Sequence, residues 1–85
     1  MDDSMIASAQ CRAARGLLGW SQQDLATRAG VGIVTIRQLE GDHKQPRRAT
    51  LAVVRAAFEE AGVLFIEENG GGAGVRLIKP AKSVK

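Results

Sequence analysis

Gly30 constrains the fold of this chain more than any other residue, because it separates two short segments that both carry helical patterns. A residue without a Cβ adopts the left-handed conformation that closes a helix at little cost. Upstream, Ser21 is followed three residues later by Asp24, which is the spacing of a capping box with Asp in place of Glu or Gln. The pattern predicts a helix over residues 22–29 that ends at Gly30.

A second helix is predicted almost immediately after this turn. Gly32 is in a position to cap it, and Ile36 and Leu39 have the spacing of an inner face over residues 33–40. Gly41 then stops the pattern. Two short helices joined by a turn of about three residues that contains a glycine define a helix-turn-helix.

Small residues stand where two such helices would cross. Ala26 and Ala29 lack the bulk that would push the helices apart, while Leu25 and Val31 supply apolar contacts that fix the angle. Spacing, turn and steric pattern therefore agree on a helix-turn-helix.

The flanking sequence predicts two more helices and a β-hairpin. Met5, Ile6, Ala9, Ala13 and Leu17 suggest the buried stripe of a helix from Ser4 to Leu18. Helix four is expected from about Ala49 to Ala61, with Gly62 as its C-cap and with a buried stripe formed by Leu51, Val54, Ala57 and Phe58. Strands are expected at Val63 to Ile66 and Val75 to Ile78 around a glycine-rich loop.

The expected fold is mainly α: a four-helix repressor-like domain over residues 1–62, followed by a C-terminal β-hairpin over residues 63–79 and a flexible basic tail over residues 80–85. The length of 85 residues suits one hydrophobic core. A two-stranded hairpin is marginal alone in water, so it must pack on the helices or pair with another chain.

Composition narrows the class of function. Net charge is +3, with the positive excess in the middle and at the tail, which suits an anionic polymer as well as plain solubility. No apolar run reaches membrane-spanning length, and the first residues lack the basic start of a secretory signal. We therefore expect a cytoplasmic protein that does not associate with a membrane.

Catalysis and cofactors are not expected. Cys11 is interpreted as a small buried helix residue, since it has no partner for a disulfide. His43 has no second imidazole or thiol cluster with which to bind a metal, so no metal and no cofactor are predicted. No nucleophile and base pair and no carboxylate dyad stand out, so we predict that the chain is not an enzyme.

The central segment resembles the Cro/Xre-type family of phage-repressor-like helix-turn-helix transcriptional regulators. The resemblance is carried by three stretches: Ser21-Gln22-Gln23-Asp24-Leu25-Ala26, Ala29-Gly30-Val31 and Thr35-Ile36-Arg37-Gln38-Leu39-Glu40-Gly41. It covers about residues 8–62 with the four-helix order.

The resemblance implies a double-stranded DNA partner and a set of contact residues. Bases would be contacted from the recognition helix by Ile33, Val34, Arg37 and Gln38. Backbone phosphates would be contacted by Gln22, Gly32, Thr35, Lys44, Arg47 and Arg48.

Some of these residues have other interpretations. Ile33 and Val34 are core or protein-interface residues in the alternative reading, and Arg37 is a solvated charge. Trp20 is interpreted as a lid on the core rather than a stacking platform for bases. Glu40 is given a structural role, either as the salt-bridge partner of Arg15 or as a cap for neighbouring groups.

The sequence is compatible with two functions. The first is a sequence-specific transcriptional regulator, expected to be a repressor, that binds DNA as a homodimer through the hairpin residues Leu64, Ile66 and Leu77. The second is a protein-interaction module, such as an antitoxin that neutralises a toxin or an antiactivator, with the hairpin or the Ile33-Val34 pair as its binding surface.

Overall fold

Four helices and a C-terminal hairpin form the protein in a computed structural model, which describes residues 6–41, 46–68 and 70–78. The elements are α1 (Ser8–Leu18), α2 (Gln22–Ala29), α3 (Ile33–Gly41), α4 (Arg48–Glu60), β1 (Val63–Ile66) and β2 (Gly74–Leu77). The predicted order of four helices followed by a hairpin is confirmed.

Helix α1 begins later than predicted and presents a different face to the core. Its N-cap is Ala7, so the helix starts at Ser8, and residues 4–5 lie outside the described part of the chain. The predicted stripe is wrong for Ala9, Ala13 and Leu17, which are exposed. Small and apolar residues occur on two faces of α1, and the face that packs carries Cys11 and Ala14, both fully buried.

The turn between α2 and α3 has the predicted geometry. The Ser21 hydroxyl accepts from the Asp24 amide at 2.9 Å, and the Asp24 carboxylate accepts from the Ser21 amide at 2.9 Å, so the capping box is complete. Gly30 closes α2 with φ 74° and ψ 32°, a conformation that is costly for residues with a Cβ. Within α2, Leu25 and Ala26 are buried and Ala29 is partly buried.

Helix α4 spans the back of the core with the predicted inner stripe. Leu51, Val54, Ala57 and Phe58 are buried. The helix is capped at Ala61, and the predicted cap Gly62 follows with φ 103°, so the left-handed residue lies one position beyond the cap.

The hairpin packs on α1 and α4 and has one face toward the core. The register pairs Val63 with Leu77, Leu64 with Arg76, and Phe65 with Val75. Strand β2 begins and ends one residue earlier than predicted. Because side chains alternate across a sheet, Val63 and Phe65 are buried, whereas Leu64 lies on the outer face.

Aromatic rings connect the hairpin to the helices. Phe58 lies between Trp20 and Phe65, with ring centroids 5.7 Å and 5.9 Å away. Arg28 lies over the Trp20 ring at 4.8 Å. Trp20 is therefore a partly buried lid on the core, as predicted. No helix in the described ranges is long and apolar enough to cross a membrane.

Candidate nucleic-acid interface

Helix α3 has one buried face and one exposed face. Ile36, Leu39 and Glu40 are buried, as the apolar spacing predicts for the first two. Val34, Arg37, Gln38 and Gly41 are exposed and follow the spacing i, i+3, i+4 and i+7. Residues at this spacing lie on one side of a helix, so the exposed residues form a continuous surface. We call the side chains of Val34, Arg37 and Gln38 the α3 outer face.

The α3 outer face makes few contacts with the rest of the protein. Val34 is 58% exposed, which is high for a large aliphatic side chain. The side chains of Arg37 and Gln38 form no hydrogen bond or ion pair with any residue in the described ranges. Their donors and acceptors are therefore available to a partner.

The remaining predicted residues of α3 lie at the edges of this surface. Ile33 is partly buried and packs against the core, whereas its neighbour Val34 is exposed. Thr35 is partly buried on the opposite flank. Gly32 is exposed immediately before α3, and its carbonyl accepts from the Thr35 amide at 3.1 Å, the first hydrogen bond of the helix.

Gln22 stands at the first position of α2 and contacts the end of α3. Its side-chain Nε2 donates to Glu40 Oε1 at 3.1 Å. The contact brings the start of α2, where a phosphate was expected, next to the buried carboxylate of α3. This hydrogen bond was not predicted from the sequence.

Glu40 is the centre of a buried polar cluster, which we call the Glu40 cluster and define as Cys11, Arg15, Gln22 and Glu40. Arg15 donates from Nε to Glu40 Oε2 and from Nη2 to Oε1, both at 2.7 Å. The Cys11 thiol donates to Oε2 at 3.1 Å. Two donors thus reach each oxygen, which fills the roughly four acceptor positions of a carboxylate. The predicted salt bridge between Arg15 and Glu40 is confirmed.

Electrostatics keep Glu40 ionised and Cys11 protonated. Burial raises the pKa of the Glu40 carboxyl, but hydrogen bonds from Arg15, Gln22 and Cys11 outweigh burial and hold that pKa below its ordinary value. Burial, followed by the hydrogen bond to Glu40, raises the pKa of the Cys11 thiol. The hydrogen bond with Glu40 also raises the pKa of Arg15. Because a thiolate is the reactive form of cysteine, Cys11 is a structural residue here.

Two arginines lie at the start of α4. Arg47 is exposed at the N-cap of α4, and Arg48 is exposed at the first position of that helix. Lys44, the third cation predicted to contact phosphates, lies outside the described residues, as does His43.

The three predicted dimer-interface residues do not share one face of the hairpin. Leu64 is 37% exposed on the outer face and Ile66 is partly buried on the same side. Leu77 packs against the core, because its register partner is the buried Val63. Ile78, which follows β2 and was not predicted, is 58% exposed.

Gln10 is another residue whose role the sequence analysis missed. Its Nε2 donates to the carbonyl of Gly74 at 3.1 Å and to that of Ile66 at 3.4 Å, while its Oε1 accepts from the Ala7 amide at 3.0 Å. One side chain thereby links α1 to both strands. Its only sequence signal is its position three residues after the N-cap.

Within residues 6–41, 46–68 and 70–78, no group of three or more His, Cys, Asp or Glu side chains could hold a metal ion.

Two helices joined by a glycine turn, with the second helix exposing polar side chains, define a helix-turn-helix DNA-binding domain. A family model described as helix-turn-helix matches residues 12–59, more than half of the chain. The chain belongs to the Cro/Xre-type helix-turn-helix family, whose members are DNA-binding transcription regulators rather than enzymes. No protein of curated function matches it.

Proposed function

We propose that the protein is a sequence-specific transcriptional repressor that binds double-stranded DNA as a homodimer and places α3 in the major groove. The α3 outer face is the observation that carries this proposal, because its arginine and glutamine have no partner among the described residues of the chain. A major groove admits one α-helix, and its base edges present donors and acceptors that such side chains recognise.

Each residue of the α3 outer face has a chemically matched base. Arg37 donates two hydrogen bonds to O6 and N7 of guanine, and Gln38 forms a donor and acceptor pair with N6 and N7 of adenine. Val34 provides an apolar contact for the methyl group of thymine. We assign Ile33 a supporting contact at the edge, since it packs partly on the core.

Phosphate contacts surround this helix. Gln22 at the start of α2 and Arg47 before α4 supply donors on either side, and Gly32 and Thr35 supply donors at the start of α3. We assign Lys44 and Arg48 to the same backbone contacts on the basis of sequence. These contacts set register and affinity, whereas the α3 outer face sets sequence preference.

Two copies are proposed because one recognition helix covers too few base pairs for high specificity. The outer face of the hairpin, formed by Leu64, Ile66 and Ile78, carries aliphatic side chains that a second copy would bury. We leave Leu77 out of this surface because it packs on the core. Repression follows from occupancy, since a protein bound over a promoter blocks polymerase without any further contact.

The DNA-binding part of the proposal is tested by affinity measurements on duplexes selected from random sequence. Arg37→Ala should cost about 1–3 kcal/mol of discrimination against the wrong base. Arg47→Ala should weaken all duplexes by a similar factor and reduce the slope of log affinity against log salt by about 1. Arg28→Ala is the matched control, because Arg28 lies over Trp20 away from α3. If Arg37→Ala and Arg47→Ala both bind DNA as the wild-type chain does, the groove assignment is wrong.

Dimerisation is tested by sedimentation at micromolar concentration. The wild-type chain should sediment as a dimer, and Leu64→Lys, which places a charge on the outer face, should shift it to a monomer. Arg76→Ala is the control, because it changes a polar residue on the same face without introducing a charge, and it should leave the dimer intact. A wild-type monomer in both the free state and the DNA complex would contradict the dimer.

A protein partner for the α3 outer face is the second candidate function. The observation that favours it is the 58% exposure of Val34, because an exposed aliphatic side chain suits a protein surface as well as a thymine methyl. Under this alternative, Val34→Ala would abolish capture of the partner while Arg37→Ala leaves affinity for DNA unchanged.

A further inference from the structure

We propose that Glu40 is a positioning residue for DNA binding, which orients the Gln22 amide so that this amide donates to a backbone phosphate. The inference rests on the proposed function, in which Gln22 contacts the phosphate. Its direct support is the hydrogen bond of 3.1 Å from Gln22 Nε2 to Glu40 Oε1, which joins the first residue of α2 to a buried carboxylate of α3.

The carboxylate selects one orientation of the amide. An ionised carboxylate accepts hydrogen bonds and donates none, so the Gln22 amide must present its Nε2 to Glu40 rather than its Oε1. With the opposite orientation, two oxygens would face one another. The orientation of Gln22 is therefore set by the charge on Glu40.

Arg15 keeps that carboxylate in place and ionised. Its two hydrogen bonds of 2.7 Å fix both oxygens of Glu40, whose side chain is 4% exposed. The hydrogen bonds to Glu40 also hold its pKa below the ordinary value, so it remains an acceptor at neutral pH. Gln22 thus meets a fixed acceptor rather than a mobile surface side chain.

One N–H of the Gln22 amide remains for DNA. The Nε2 group has two hydrogens, and among the residues that the structure describes it makes only the bond to Glu40. The second hydrogen has no partner there, and a phosphate oxygen at the start of α2 would accept it. Since the amide is already oriented, DNA binding does not have to order it, which preserves affinity.

The neighbouring Gln23 offers a matched comparison. It is exposed, and among the described residues its Nε2 donates only to the Thr27 hydroxyl, at 3.3 Å. A hydroxyl both donates and accepts, so it does not select one orientation of an amide. Gln23 should therefore lack the fixed orientation of Gln22, although the two residues are adjacent at the start of α2.

Nuclear magnetic resonance of the side-chain amides in the full wild-type chain tests the orientation. One Gln22 amide proton should exchange with water about tenfold more slowly than both Gln23 amide protons. When a selected duplex is added, the resonance of the other Gln22 proton should shift while those of Gln23 stay in place. Equal exchange for both glutamines, or no shift of either Gln22 proton, overturns the proposal.

DNA affinities of the wild-type chain, Gln22→Ala, Glu40→Asp and the double variant test whether Glu40 acts through Gln22. Gln22→Ala should weaken DNA binding about tenfold, the scale for a lost hydrogen bond to a charged group. Glu40→Asp keeps the charge but withdraws the carboxylate, so it should weaken binding several-fold alone and cause no further loss when combined with Gln22→Ala. An equal loss from Glu40→Asp in both backgrounds would show a purely structural role. The resonance experiment uses the wild-type chain and decides the question if Glu40→Asp does not fold.

Failure of this inference differs from failure of the proposed function. If Arg37→Ala removes sequence preference but Gln22→Ala has no effect on affinity, α3 occupies the groove and the positioning role is wrong. If neither substitution changes DNA binding, the proposed function itself is wrong.

Discussion

The Glu40 cluster and the α3 outer face lie on opposite sides of the same short helix and differ in how their polar groups are satisfied. The Glu40 carboxylate is buried and accepts four hydrogen bonds from three other residues. Arg37 and Gln38, three and two residues earlier, are exposed and have no such partner in the described ranges. Both regions are polar, so polarity alone does not distinguish a structural residue from a binding residue.

Saturation of hydrogen bonds separates the two roles. A buried carboxylate with every acceptor position filled contributes to the fold and is costly to disturb. An exposed donor without a partner contributes little to the fold and is available for recognition. Substitutions in the Glu40 cluster should therefore reduce stability more than substitutions on the α3 outer face do. Substitutions on the α3 outer face should instead have their main effect on DNA binding.

The largest effect on stability is expected from Glu40→Ala. The substitution leaves Arg15 without its anion and Gln22 and Cys11 without their acceptor, which costs about 3–5 kcal/mol of the free energy of unfolding. Urea denaturation measures this loss. Glu59→Ala is the control, because its ion pair with Arg55 is on the surface and should contribute about 0.3–0.5 kcal/mol. Similar losses of unfolding free energy for Glu40→Ala and Glu59→Ala would show that the buried Glu40 cluster is no more important for stability than a surface ion pair.

An intermediate effect on the free energy of unfolding is expected when Glu40 is protonated at low pH. Because the pKa of Glu40 is lowered in the folded protein, its contribution is complete above the ordinary carboxyl value of about 4.3 and is lost as pH falls through the folded value. The unfolding free energy of the wild-type chain should therefore decline as pH falls below about 4.3. In Glu40→Gln this part of the decline should be absent, which denaturation curves at several pH values would reveal. Parallel profiles for the two chains would argue against the assigned pKa direction.

The smallest effect on stability is expected on the α3 outer face. Val34→Ala and Gln38→Ala remove side chains that are exposed, so each should change the unfolding free energy by less than about 0.5 kcal/mol. The same urea experiment gives the value. Leu39→Ala on the inner face of the same helix should cost about 2–5 kcal/mol and serves as the comparison. A loss of that size from Val34→Ala would place Val34 in the core.

Much of the fold follows from local signals in the sequence. The capping box at Ser21 and the left-handed glycine at position 30 act within a few residues, so the bounds of α2 match the prediction. The inner stripe of α4 was also predicted, because its large apolar residues occur on one face only. The stripe of α1 was mispredicted, because alanines on two faces give no preference until Cys11 and Ala14 pack against other helices.

The candidate site was predictable in part for the same physical reason. Helical spacing indicated that Arg37 and Gln38 lie opposite Ile36 and Leu39. It could not show that Ile33 turns toward the core, or that Gln22 meets Glu40, which is 18 residues away along the chain. Contacts between distant residues depend on how the helices pack, and a local pattern does not contain that information.

Binding-site selection from random duplex DNA, done in parallel with the wild-type chain and Arg37→Ala, tests whether the α3 outer face contacts bases. The wild-type chain should enrich a motif with guanine at one position of each half-site, with half-site centres about 10–10.5 base pairs apart. Arg37→Ala should lose the preference at that position and keep the rest of the motif. The same motif from both chains, or no enriched motif from the wild-type chain, would show that the α3 outer face does not contact bases.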